Sequence, residues 1–188
     1  MDTRTQTTRK AQTQTVAPDL ELVLSDAVGM VEGAMSQALD FCAQKMALDS
    51  REAVVSRLQR SDPGALGYVY YSLANQAAEW LGAWDESVKA VYLYDFDATA
   101  EDGCFGEADR SPLLHLIVWA RRKTGALNAV LGILDRALVQ AYADLTGKSE
   151  LKHLLSAEVI DDDGMQNSIG CAALLRSVHT RPLRVWER

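Results

Sequence analysis

The chain of 188 residues has no run approaching the ~18–20 consecutive apolar residues of a membrane-spanning helix, so no membrane partner is expected. Its first residues lack the apolar core of a secretory signal. Cysteine is scarce: Cys42, Cys104 and Cys171 are odd in number, widely spaced and without a CxxC pair. That pattern excludes a zinc site built on cysteine pairs and argues against a disulfide framework. Basic charge is in deficit too, with 19 Lys and Arg against 26 Asp and Glu, a net charge of −7. A general nucleic-acid binder needs Lys and Arg to displace phosphate counterions, so that class is disfavoured. There is no GxSxG elbow, no HExxH pair, no P-loop and no repeat of fixed period. His115, His153 and His179 share no metal-ligand spacing. The expectation from these absences is an acidic, cytoplasmic protein.

Hydrophobic residues make up 48% of the chain and charged residues 24%, as in an ordinary globular domain. Residues 1–17 are the exception. Rich in Thr and Gln, they hold too little apolar surface to repay ordering and read as a disordered tail. They are basic and acid-poor, as targeting peptides are, but have no apolar face to dock on an import receptor. Residues 18–188 then form the expected single globular domain.

Pro18 opens a helical pattern in which Leu24, Val28, Val31, Met35, Leu39, Cys42 and Met46 recur at three- and four-residue steps, an amphipathic stripe ending near Leu48. Asp49 and Glu52 have capping-box spacing for a second helix over 50–60. Asp62 before Pro63 reads as an N-cap followed by proline at the first helical position. This third helix runs to about Ala83, with Val69, Leu73, Ala77, Trp80 and Trp84 on its apolar face. The period changes at Val88. Residues 89–97 (KAVYLYDFD) read as a strand, and 113–120 (LLHLIVWA) form a continuous apolar run that fits a central strand buried on both faces. Thr124 and Gly147 bracket a further helix. A short helix over 150–155, a strand over 157–161, an acidic turn, a helix over 169–178 and a terminal strand over 183–186 complete the chain. The fold class is therefore α+β (mixed α/β): a helical half, 18–84, then a sheet-bearing half, 88–188, in the order β-β-α-β-α-β.

Three groups of residues could carry chemistry. Asp95 and Asp97 project to one face of their strand, where two carboxylates can hold a Mg²⁺ ion. With the residues before and after them, Val91 to Thr99, they resemble the first motif of the haloacid-dehalogenase-like phosphohydrolases. The resemblance implies more strands after this motif than the chain offers. The second group is Arg121, Arg122, Lys123 and Thr124, between a buried strand and a helix start. Free backbone N–H groups there, reinforced by cations, would hold a phosphate or carboxylate. If the first two strands run antiparallel, these two groups lie at opposite ends and cannot form one site. The third group is Tyr68 and Tyr71 with Asn75 and Glu79, a polar-aromatic ridge suited to a ligand pocket or a partner interface. Asp161, Asp162 and Asp163 before Gly164 lack calcium-loop spacing and read as a turn and helix cap. Cys42 and Cys171 read as core thiols and Cys104 as a loop thiol.

No catalytic set is complete. The expected function is a non-enzymatic binding or interaction module. Self-association as a homodimer is expected because the first helix offers more apolar face than two short neighbours can cover. The alternative is an enzyme or sensor for a small phosphorylated or carboxylated ligand, with Mg²⁺ as its cofactor if Asp95 and Asp97 take part.

Overall fold

The computed structural model describes residues 20–94, 114–177 and 182–188. The tail, Asp95, Asp97, Cys104 and His179 lie outside the described residues. No described helix is long and apolar enough to cross a membrane.

The elements follow in the order α1 (Leu20–Lys45), α2 (Arg51–Gln59), α3 (Pro63–Trp84), β1 (Val88–Leu93), β2 (Leu114–Ala120), α4 (Gly125–Thr146), β3 (Leu155–Ile160), α5 (Asp162–Asn167), α6 (Ala172–Arg176) and β4 (Leu183–Glu187). This is the α+β class, with a small mixed sheet of four strands in the spatial order β3-β2-β1-β4. The helix expected over 169–178 is confined to α6, and α5 forms where an acidic turn was expected; Ser168 and Gly170 take left-handed backbone conformations between the two. The helix expected over 150–155 does not form; β3 begins at Leu155 instead.

Local chemistry sets most boundaries. Asp62 accepts from Ala65 N at 2.9 Å and Thr124 from Leu127 N at 3.1 Å, so each caps its helix as its side chain predicts. Gly147 ends α4 with φ 73, the left-handed conformation that glycine adopts at least cost. Asp161 accepts from Gly164 N at 2.8 Å, which makes the acidic triplet a cap for α5. The cap of α2 is Ser50 rather than Asp49, through Ala53 N at 3.3 Å.

The long helices α1, α3 and α4 lie to one face of the sheet. The buried side chains Leu114, Leu116, Val118 and Ala120 of β2 join Val69, Leu73, Leu127, Leu134 and Leu138 in one core that spans both halves of the chain. Ile117 of β2 points the other way, to a smaller cluster with Ile160, Cys171 and Ala172. Thus β2 is buried on both faces, between β1 and β3. Cys171 is buried in this cluster, as expected of a core residue, but it is disulfide-bonded rather than a thiol. Cys42 is a free, buried cysteine whose thiol is pushed up by burial.

Helix α1 departs from its predicted stripe. Val31, Met35, Leu39 and Cys42 are buried as expected, but Leu24 and Val28 are 43% and 40% exposed. The buried face begins instead at Val23 and Ala27 and continues through Ala34 and Ala38. These alanines let α1 settle against α3 and α4, both of which contact it. The long helix is therefore covered by two helices of 22 residues each, one of them from the sheet-bearing half.

Candidate functional site

Helices α1 and α3 run side by side and are joined on their exposed flank. Trp80 Nε1 donates to Asp26 Oδ2 at 2.6 Å, and Gln76 Nε2 donates to Gln37 Oε1 at 3.0 Å. Further along, Phe41 of α1 meets two tyrosines of α3. Its ring lies 6.1 Å from Tyr68, edge-on, and 5.8 Å from Tyr71, tilted. Both arrangements suit aromatic quadrupoles. Around these rings is a shallow, open, largely apolar groove of about 490 Å³, also lined by Lys45, Pro63, Gly64 and Gly67. Gly67 faces open space, where an added Cβ would meet nothing within 4 Å. Lys45 Nζ stands 5.5 Å from the Phe41 ring centre, a cation at the rim of an apolar hollow.

The groove takes up Tyr68 and Tyr71 but not the rest of the predicted ridge. Asn75 Nδ2 turns back to donate to the Tyr71 carbonyl at 2.7 Å, and Glu79 is exposed outside the lining. Phe41 and Lys45 were missed in the sequence because Phe41 sits off the helix's periodic stripe. Only the packing of α1 on α3 brings it to the tyrosines.

The cationic group lies at the other side of the molecule's sheet. Arg121, Arg122 and Lys123 are exposed between β2 and α4. Lys123 Nζ is 3.9 Å from Glu158 Oε1 of β3, and Thr124 is occupied as the helix cap. The positive charge of Arg121 acts on Asp162, whose carboxyl is held low chiefly by its bond to Lys89, with Trp119 Nε1 as a second donor. Lys89 Nζ reaches Asp162 at 2.6 Å and lies 4.9 Å from the centre of the Trp119 ring. Arg121 and Lys123 thus face carboxylates already in place. β1 and β2 pair antiparallel, with Val88 opposite Ala120 and Leu93 opposite Leu116. Arg121 therefore follows the end of the hairpin where β1 begins, while β1 ends at the opposite side. β1 is antiparallel to both its neighbours. Asp95 and Asp97, the Mg²⁺ candidates, fall outside the described residues. Among the described residues no group of three or more His, Cys, Asp or Glu is placed to hold a metal ion.

A further polar cluster escaped the sequence reading. Asp135 of α4 is buried, and its Oδ1 accepts from Leu154 N at 2.9 Å and Leu155 N at 2.8 Å. Its Oδ2 is 2.7 Å from His153 Nδ1. An aspartate on an apolar helix face was the available signal. Beside it lies a smaller hollow of about 280 Å³, lined by Asn128, Leu131, Gly132, Asp135, Leu155 and Ala157. Asp135 ties α4 to the start of β3, a holding role that accounts for all its bonds.

Compared with protein families, with characterised proteins and with solved structures, the chain matches none.

Proposed function

We propose that this chain is a non-enzymatic binding module that holds an apolar side chain of a partner protein in the groove between α1 and α3. One observation carries the reading: Phe41, Tyr68 and Tyr71, from two helices, line an open apolar hollow together with Pro63, Gly64 and Gly67. Rigid aromatic rings offer large contact area at low entropic cost, which is why they dominate recognition surfaces. Lys45 at the rim favours a partner side chain with a carboxylate beside it.

Short acidic peptides carrying Phe, Tyr, Trp or Leu are the probes, with resonances of Phe41, Tyr68 and Tyr71 followed by NMR. Those resonances are expected to shift together and saturate. Gly67→Leu fills the hollow from an exposed helical position and should abolish the response while the fold persists. Silence at these rings up to millimolar peptide would remove the reading. A response to phosphate esters at Arg121, Arg122, Lys123 and Thr124 instead would favour the small-anion alternative.

A further inference from the structure

We infer that the outer edge of β3 is a self-pairing edge, through which two copies of this chain join their sheets by antiparallel pairing. The inference does not depend on what the aromatic groove binds.

The edge is open. β3 ends the order β3-β2-β1-β4, so no strand lies beyond it among the described residues. Leu114 N donates to the Leu154 carbonyl, and the parallel register sets Leu114 beside Leu155. Backbone groups alternate along a strand. Residues Ser156, Glu158 and Ile160 thus turn their N–H and C=O groups toward β2, while Leu155, Ala157 and Val159 turn theirs outward. Asp135 already accepts the outward N–H of Leu155. The groups left facing out are the Leu155 carbonyl and both groups of Ala157 and Val159.

The two edges of the sheet are treated differently. An exposed edge invites pairing unless proline, charge or a bulge blunts it. β4 carries these devices: Pro182 precedes it, its register with β1 shifts between Val91 and Tyr92, and it bears Arg184 and Glu187. β3, with sequence LSAEVI, has no proline or lysine and pairs with β2 in unbroken register. Its one charged residue, Glu158, has Lys123 nearby.

The occupant follows from self-complementarity. With Ala157 on a two-fold axis perpendicular to the sheet, Ala157 of each copy exchanges both backbone bonds with Ala157 of the other. The Val159 N–H of each copy then reaches the Leu155 carbonyl of the second. Side chains directly opposite share a face. Leu155 therefore meets Val159 on the helical face and Ser156 meets Glu158 on the other, so no two like charges are opposed. Beside this edge lies the hollow lined by Asn128, Gly132 and Ala157, toward which the two-fold brings the second copy, and a Cβ added at Gly132 would meet nothing within 4 Å.

The test is the mass of the full chain by sedimentation equilibrium, with hydrogen exchange at single amides, from micromolar to millimolar concentration. A dimer is expected, with the Ala157 and Val159 amides gaining protection as it forms. Ala157→Pro removes an outward donor and should give a monomer of unchanged far-UV circular dichroism. Gly132→Arg lies outside the strand and should weaken the dimer by about tenfold, the scale of one lost backbone-strength contact. A strict monomer throughout overturns the inference. So does a dimer that leaves those two amides unprotected, or one whose dissociation constant is unchanged in Gly132→Arg. Protection of the edge only on adding an unrelated extended peptide overturns the second copy as its occupant.

Discussion

Gly82 shows how much one absent side chain can decide. It lies buried in the last turns of α3, and a methyl group there would overlap the Trp186 ring of β4. Arg188 donates from Nη2 to the Gly82 carbonyl and from its backbone N to the Lys89 carbonyl at 2.9 Å, so the chain's last residues close over this point. Gly82→Ala improves helix propensity but forces the ring out; overpacking of this kind costs about 1–3 kcal/mol. Urea unfolding should show the loss, and an unchanged midpoint would mean that Trp186 is not seated on α3. Tyr142 makes the opposite case. It is fully buried, burial pushes its hydroxyl's pKa up, and among the described residues that hydroxyl has no hydrogen-bond partner. Tyr142→Phe removes an unsatisfied polar group and should stabilise the protein by about 1 kcal/mol. A fall in melting temperature would show that the hydroxyl is bonded in solution.

Among the elements, the α4–β3 connection depends on Asp135. Without its carboxylate, two backbone N–H groups at the start of β3 lose their acceptor. Asp135→Ala should cost about 2 kcal/mol or more, and Asp135→Asn, which keeps Oδ1, should cost less. Equal losses for the two would indicate that charge, rather than the acceptor, matters. The caps were legible in the sequence because each acts within three residues: Asp62, Thr124 and Asp161 bond backbone N–H groups just downstream. The buried face of α1 was legible only in its second half. A stripe of large apolar residues places Leu24 and Val28 inward, but the helix turns its alanines to α3 and α4. Small residues score weakly as a hydrophobic face, although they decide how closely two helices approach.

For the whole molecule, charge is the quantity most open to test. Asp162 is held below the ordinary carboxylate range mainly by its bond to Lys89, Asp62 by the backbone N–H of Ala65, Asp40 by Arg51 and Glu52 by Ser50. All four are depressed in the fold, so the unfolded chain binds more protons as pH falls. Their stabilisation is therefore present in full above the usual carboxylate range. It is lost as pH descends through that range to the lowered values. Urea midpoints measured downward from neutrality should fall accordingly, and Asp162→Asn should flatten part of the slope. A midpoint independent of pH through the carboxylate range would contradict these pairings.

The sequence by itself determined the mixed class, the caps of α3, α4 and α5, and the central place of β2, because these rest on hydrogen bonds a few residues apart and on side-chain periodicity. Tertiary structure alone decided which stripe of α1 is buried and that Phe41 meets Tyr68 and Tyr71. It also decided that Asp135 anchors β3 and that β3 and β4 form the two ends of the sheet among the described residues. Each of these depends on contacts between segments far apart in the chain, whose relative placement no local pattern encodes.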